Sequence, residues 1–174
     1  MIALTGRQPV IRAEDLLRDL QPPPRFDSVR FANYLPDPAF PSQAKALAAA
    51  SHFAITNKQS LRRMFGKRTQ LNKPGIYLDG GYGVGKTHLL ASVWHAHPGQ
   101  ATFASFVEYT NLVGALGFAE AVTALSQYSL ICIDEFELDD PGDTVLMSTL
   151  LHRLVDQGVQ IAATSNTLPD RLGE

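Results

Sequence analysis

A run of eight residues near the middle of the chain has the residue types and the spacing needed to hold phosphate groups. A glycine, four further residues, a glycine, a lysine and a threonine follow one another as Gly80-Gly81-Tyr82-Gly83-Val84-Gly85-Lys86-Thr87. Glycines allow the sharp backbone turns that bring N–H groups against phosphate oxygens. Lys86 would reach the β- and γ-phosphates, and the Thr87 hydroxyl would hold Mg²⁺. The pattern predicts a phosphate-binding loop, because a short apolar segment precedes it and an amphipathic segment follows it.

Two adjacent carboxylates follow a long apolar segment, residues 128–133, which is typical of a strand buried on both faces. Asp134 is placed to hold Mg²⁺, and Glu135 is placed to act as the base that orients a water molecule for attack on the γ-phosphate. The pair favours an ATPase, and the lack of an Asn-Lys-x-Asp motif disfavours a GTPase. The acids that come next are expected at the start of a helix, where they complement its dipole. These are Glu137, Asp139, Asp140 and Asp143.

Asn166 follows another apolar segment, residues 159–164, which we expect to form a strand beside the phosphate-loop strand. A polar side chain at that position would contact the γ-phosphate or position the attacking water. Cys132 is expected to be a small core residue, and His95 and His97 do not form a convincing metal-binding pair.

The segments between these motifs alternate between strand and helix patterns. Strands are predicted at 75–79, 101–107, 128–133 and 159–164, and helices at 86–97, 109–116, 119–127 and 141–157. This alternation predicts an α/β fold, a parallel sheet with helices on both faces. Ligands bind at the carboxyl ends of such strands, so one site would gather the phosphate loop, Asp134, Glu135 and Asn166.

The first 41 residues read as an N-terminal extension, and residues 42–174 as the nucleotide-binding core. A short helix is predicted at 13–20, and the aromatic, proline-rich stretch 26–40 is expected to lie across the core, fixed by its rings. The next helix, 42–58, would begin with Ser42 as its cap. Its buried face would consist of Ala44, Leu47, Ala48, Ser51 and Ile55.

The bulk composition narrows the class of protein. With 45% hydrophobic and 18% charged residues, the chain is an ordinary globular protein, and its net charge of −2 gives no overall attraction to nucleic acid. One cysteine, no signal-peptide pattern and no long apolar run indicate a cytoplasmic protein. The basic run Lys58 to Lys73 would suit an anionic partner, such as DNA or a membrane surface, but we favour a solvated segment.

These motifs together resemble the AFG/ZapE family of AAA+ ATPases. The resemblance is carried by the phosphate loop, by Ile133-Asp134-Glu135-Phe136 with the aspartate-rich segment after it, and by Ala163-Thr164-Ser165-Asn166. It implies that Lys86 and Thr87 contact phosphate and Mg²⁺, that Asp134 and Glu135 are the Walker B pair, and that Asn166 is the residue called sensor 1. It also implies an oligomer that binds ATP between subunits and acts on a protein partner. Bacterial relatives are linked to cell division and the FtsZ ring, and mitochondrial relatives to inner-membrane protein quality control.

The resemblance also implies elements that are not found after Asn166: a further strand, an arginine finger and a helical lid. We therefore expect this chain to be the N-terminal portion of a longer protein, with one sheet edge left unpaired. Two other functions stay open at this point. One is a helicase-loader-like ATPase that acts on DNA, and the other is a nucleotide-dependent binding switch without turnover.

Overall fold

Four parallel strands form one sheet in the computed structural model. The structure describes residues 12–62, 74–138 and 140–168. Within this part, residues 56–62 are described by their backbone only. The strands are β1 (Gly75–Leu78), β2 (Ala101–Ser105), β3 (Leu130–Asp134) and β4 (Gln160–Thr164). Their order across the sheet is β1-β4-β3-β2, and each neighbouring pair is parallel. The predicted parallel sheet is confirmed, as is the prediction that the strand before Asn166 lies beside the phosphate-loop strand.

Six α-helices in the described part of the chain surround this sheet. They are α1 (Ala13–Arg18), α2 (Pro41–Arg62), α3 (Lys86–Ala96), α4 (Phe106–Leu116), α5 (Phe118–Leu125) and α6 (Pro141–Asp156). No helix in the described part of the chain has the length and apolarity that a bilayer crossing requires.

The side chains of β3 show that the sheet is covered on both faces. Ile131 and Ile133 belong to a core cluster with residues of α4, α5 and α6, whereas Leu130 and Cys132 pack with residues of α2 and α3. Successive side chains of a strand point to opposite faces, so an unbroken apolar strand needs a helical layer on each side. All four residues are at most 1% exposed, which confirms the core prediction for Cys132.

The local signals at α6 act as the sequence predicts. The Asp140 carboxylate accepts hydrogen bonds from the N–H groups of Gly142 and Asp143, and Pro141 occupies the first helical position. Gly158, with a φ of +89°, follows the end of the helix. Asp139 lies outside the described residues.

Two predictions about the other helices are wrong. Helix α2 begins at Pro41, so Ser42 lies within the first turn and is not the cap. Its buried residues are Ala50, Phe53 and Ala54. Of the predicted face, Leu47 is partly buried and packs against the core, while Ile55 is 58% exposed. The face is decided by the Phe53 ring, which packs with residues of α3, and not by the smaller residues of the predicted stripe.

Strand β2 ends two residues earlier than predicted. Ser105 forms a capping box with Glu108, in which each side chain binds the backbone N–H of the other residue. This pairing starts α4 at Phe106. The serine and the glutamate stand three residues apart in the sequence, which is the spacing of a capping box and marks the start of this helix.

Candidate functional site

The carboxyl ends of β1, β3 and β4 meet at one edge of the sheet and border a cleft of about 330 Å³. The residues that line it come from the phosphate loop, from the start of α3 and from the segments that follow β3 and β4. They include Gly83, Gly85, Lys86, Thr87, Asp134, Glu135 and Asn166. The structure therefore brings all three predicted motifs to one place, because parallel strands end at the same edge. The roles of these residues stay predictions.

The loop between β1 and α3 has a backbone that only glycines adopt easily. Gly80, Gly83 and Gly85 have φ angles of +137°, +76° and +87°. Side chains with a Cβ are strained at such angles, so the glycines of the motif are needed for the shape of the loop. The loop leads directly into the first turn of α3, whose free N–H groups carry partial positive charge and favour phosphate.

Lys86 makes three hydrogen bonds at the centre of the cleft. Its Nζ donates to the carbonyl oxygens of Gly80 and Gly81, at 2.7 and 2.8 Å, and to Asn166 Oδ1 at 2.9 Å. Partial burial lowers the pKa of Lys86, and the nearby carboxylates of Asp134 and Glu137 oppose that shift. The three acceptors are neutral oxygens, which phosphate oxygens would replace with stronger, charge-assisted partners.

Asp134 and Thr87 form the part of the site suited to a divalent cation. The Thr87 hydroxyl donates to Asp134 Oδ1 at 3.1 Å, and the Thr164 hydroxyl donates to the same oxygen. A carboxylate beside a threonine hydroxyl offers hard oxygen ligands of the kind that Mg²⁺ prefers. The two residues therefore fit a magnesium ion that also needs water and phosphate oxygens to complete its shell. No cluster of three or more acidic, histidine or cysteine ligands occurs among residues 12–62, 74–138 and 140–168.

Glu135 has an unusual backbone conformation for a residue with a side chain. Its φ is +54°, and it is the one non-glycine residue with a positive φ in the described part of the chain. The left-handed conformation costs about 1–2 kcal/mol for a residue with a Cβ. The Glu135 N–H donates to Thr164 Oγ1 at 3.1 Å, and its side chain is exposed on the wall of the cleft. The Glu135 carboxylate therefore lines the same cleft as Asp134.

Glu137 does not lie at the start of α6, so this part of the helix-dipole prediction is wrong. Its carboxylate accepts hydrogen bonds from Ser165 Oγ, from the Asn166 N–H and from Thr167 Oγ1, at 3.1, 2.9 and 2.8 Å. Partial burial of Glu137 raises its pKa, but these hydrogen bonds outweigh that effect and lower it below the ordinary value. The Glu137 carboxylate therefore stabilises the turn after β4 through hydrogen bonds and does not stabilise the start of a helix.

Two further residues of the site were missed by sequence reasoning. Thr164 is 1% exposed, and its hydroxyl contacts both Asp134 and Glu135. A threonine at the end of a strand gives no signal of this in the sequence. Tyr34, in the predicted aromatic segment, donates from its hydroxyl to the Val84 carbonyl at 2.8 Å. The expectation of aromatic anchors pointed to the segment, but not to its partner in the phosphate loop.

The two histidines at the end of α3 bind separate partners. His95 Nε2 lies 2.9 Å from the Phe26 carbonyl oxygen, and His97 Nε2 lies 2.7 Å from Ser129 Oγ. The two rings therefore do not share a ligand site, although Phe26 itself borders the cleft.

Comparison with known proteins places the site in a family. The sequence model of the AFG1-like ATPase family matches residues 10–174. The cell division protein ZapE of Escherichia coli K12 is 31% identical over 124 residues, which cover 63% of this chain and 33% of ZapE. The chain thus spans about a third of the length of the curated relatives it matches.

Solved structures agree on the fold. AMPPCP-bound DnaA from Aquifex aeolicus has a TM-score of 0.63 at 14% identity, over 87% of this chain and 44% of DnaA. The DnaC helicase loader has a TM-score of 0.57 at 15% identity, over 86% of this chain and 82% of DnaC. These likenesses show a shared fold and confirm the predicted α/β fold class, a parallel sheet with helices on both faces. Because the family match covers nearly the whole chain, the protein belongs to the AFG1-like ATPase family.

Proposed function

We propose that this chain binds ATP with Mg²⁺ in the cleft and hydrolyses it. The observation that carries the proposal is that Lys86 Nζ bonds Asn166 Oδ1 at 2.9 Å while Thr87 Oγ1 bonds Asp134 Oδ1 at 3.1 Å. Two pairs, each separated by at least 47 positions in the chain, thus meet beside a loop shaped for phosphate. A loop that only turned from strand to helix would not need these contacts.

Each residue has a role that its position supports. The loop N–H groups and Lys86 would hold the β- and γ-phosphates. Thr87 and Asp134 would hold Mg²⁺, which neutralises charge on the phosphate oxygens. Asn166 would contact the γ-phosphate from the opposite side of the cleft, because it already lies within hydrogen-bond distance of Lys86.

Glu135 is the residue that we assign to the attacking water. Its carboxylate is exposed on the wall of the cleft, so it would accept a proton from a water molecule aligned with the γ-phosphate. Asp134 is partly buried and bonded to two hydroxyl groups, and it is therefore less suited to that task. The adjacent acids would divide the work, one for the metal ion and one for the water.

For the whole protein, we propose a homo-oligomer in which a neighbouring subunit supplies an arginine to the γ-phosphate. The similarity to a protein named for cell division supports a role in division. We propose the FtsZ machinery as the partner. Protein quality control at a membrane is the alternative within the same family. We place the protein in the cytoplasm with peripheral association at the division site, and imaging of a fluorescent fusion tests this.

Steady-state ATP hydrolysis, measured against protein concentration, tests the proposal. We expect the rate to rise more than linearly with concentration and to vanish in Glu135→Gln, while labelled ATP still binds that variant. Lys86→Ala should abolish binding. Tight ATP binding without turnover in the wild type would favour a nucleotide-dependent switch, and no ATP binding at all would overturn the central claim.

The helicase-loader alternative rests on the basic run Lys58 to Lys73, whose side chains lie outside the described residues. Adding single-stranded DNA or FtsZ polymers to the same assay separates the two partners. Stimulation by FtsZ that single-stranded DNA does not reproduce supports the division role. Binding to DNA that weakens steeply with salt would favour the alternative.

A further inference from the structure

The turn that carries Asn166 is held by a carboxylate from a neighbouring segment. Glu137 follows β3 by three residues, and its two oxygens accept hydrogen bonds from three successive residues, Ser165, Asn166 and Thr167. One of these donors is the backbone N–H of Asn166 itself, at 2.9 Å. The position of the Asn166 backbone therefore depends directly on Glu137.

The side chain of Asn166 reaches the lysine of the phosphate loop. Its Oδ1 accepts a hydrogen bond from Lys86 Nζ at 2.9 Å. Two other contacts complete the turn: the Thr167 N–H donates to Ser165 Oγ, and the Tyr77 hydroxyl donates to the Thr167 carbonyl. Glu137 thus contacts all three residues of the turn.

The bonds to Glu137 gain strength from its charge. The hydrogen bonds favour the ionised form and lower the pKa of Glu137, so the carboxylate is charged at neutral pH. Hydrogen bonds to an ionised acceptor are roughly twice as strong as those between neutral groups. The charge also acts on Lys86, since Glu137 favours its protonated form.

We propose that Glu137 is a positioning residue for hydrolysis, which fixes Asn166 against Lys86 and the γ-phosphate; this rests on the proposed ATP hydrolysis. Glu137 does not line the cleft, so it acts through Asn166. Loss of Glu137 would release the turn while leaving the phosphate loop intact. Turnover should therefore suffer more than ATP binding.

The test compares four variants by kcat and by the Kd for labelled ATP. Glu137→Ala should lower kcat at least 10-fold with Kd within 3-fold of the wild type. Glu137→Gln should stay within 3-fold in both, because its amide oxygen still accepts from Asn166 and its NH₂ can donate to Thr167 Oγ1. The double variant Glu137→Ala/Asn166→Ala should be no slower than Asn166→Ala alone, since residues that act as a unit are not additive.

Asp140→Ala provides the matched control. Asp140 is a carboxylate in the same loop that also accepts two backbone hydrogen bonds, but its partners begin α6. This variant should lower the melting temperature and leave kcat per folded molecule unchanged. Equal losses of kcat in Asp140→Ala and Glu137→Ala would mean a general structural effect and would overturn the proposal. A double variant 10-fold slower than Asn166→Ala would overturn it as well.

Hydrogen exchange of the Asn166 amide separates this proposal from the proposed function, because it needs no turnover. We expect exchange at least 10-fold faster in Glu137→Ala than in the wild type. Unchanged exchange would contradict the Glu137 proposal alone. A wild-type protein that does not hydrolyse ATP would contradict the proposed function. If Glu137→Ala does not fold, Thr167→Val removes one of the three donors and should lower kcat about 3-fold; an unchanged kcat would overturn the proposal.

Discussion

The hydroxyl of Tyr34 donates a 2.8 Å hydrogen bond to the carbonyl oxygen of Val84, inside the phosphate-binding loop. The Tyr34 ring also lies against Gly85, where an added Cβ would come within 2.6 Å of a ring carbon. The ring also meets His88 edge to face, with centroids 5.4 Å apart. A residue that precedes α2 therefore fixes the loop that we propose binds ATP, so the N-terminal segment takes part in the site.

Replacing Tyr34 with phenylalanine should weaken ATP binding about 5-fold. The ring remains, but the Val84 carbonyl loses its partner, and one such hydrogen bond contributes about 1 kcal/mol. The loss should appear in the Kd for labelled ATP, with kcat nearly unchanged. Tyr128→Phe, at the opposite end of the sheet, is the control and should bind ATP as the wild type does. An unaltered Kd in Tyr34→Phe would show that the contact does not shape the loop.

Glu135→Gly should make the protein more stable and inactive. At a φ of +54° glycine avoids the penalty of about 1 kcal/mol that a residue with a Cβ incurs. Removing the proposed base should lower kcat by a factor of about 10²–10⁴. Urea denaturation of Glu135→Gly and Glu135→Ala isolates the backbone effect, because both lack the carboxylate. If the alanine variant is the more stable of the two, the backbone at Glu135 is not strained.

The sequence allowed the prediction of features that depend on neighbouring residues. The phosphate loop, the Asp140 cap and the apolar run of β3 each have their signal within a few positions, and the structure shows the expected elements there. The structure also shows Asp134 bonded to Thr87, and Asn166 bonded to Lys86. These contacts could be expected because the alternation of strands and helices fixes which strand ends share an edge.

Contacts that depend on packing could not be predicted in the same way. Glu137 was assigned to a helix end by its place among other acids, whereas its partners lie 28 to 30 positions away. The buried face of α2 was set by the fit of Phe53 against α3, which no periodicity in α2 alone reveals. In both cases the deciding partner comes from a distant segment of the chain.

Thr164→Val should lower kcat about 10-fold and raise the Mg²⁺ concentration needed for half-maximal rate. Valine has nearly the shape of threonine, so this buried site keeps its packing. The variant removes a donor to Asp134 and leaves the Glu135 N–H without its acceptor. Thr164→Ser should behave as the wild type, since it restores the hydroxyl. A normal kcat and a normal Mg²⁺ dependence in Thr164→Val would mean that the hydroxyl does not position the acids.

Thr102→Val is the matched control for that experiment. Thr102 is also fully buried, on β2, and its hydroxyl pairs with the Tyr109 hydroxyl at 2.8 Å. Its loss should lower the free energy of unfolding by about 1 kcal/mol, because the buried Tyr109 hydroxyl loses one hydrogen bond but still donates to the Cys132 carbonyl oxygen. It should leave kcat and the Mg²⁺ requirement unchanged, because neither hydroxyl reaches the cleft.

His97 should make the protein less stable in mild acid. Its Nε2 bonds Ser129 Oγ, whose proton goes to the Gln100 carbonyl, so Nε2 carries the ring proton and the buried Nδ1 has no partner among the described residues. Burial therefore lowers the pKa of His97 to about 4, from about 6.5 in the unfolded chain. Between those values the unfolded state binds a proton that the folded state does not. The contribution to the free energy of unfolding is complete above pH 6.5 and declines as the pH falls towards 4.

The expected loss from His97 over that range is on the order of 2 kcal/mol, and urea denaturation from pH 7 to pH 4.5 measures it. Other groups titrate as well, so the quantity to compare is the difference in unfolding free energy between the wild type and His97→Gln. Glutamine still offers an N–H to Ser129 and does not titrate. The unfolding free energy of the wild type minus that of His97→Gln should therefore decrease as the pH falls. Parallel curves for the wild type and His97→Gln would show that His97 takes up its proton equally well in both states, and that the unpaired Nδ1 costs the folded protein nothing.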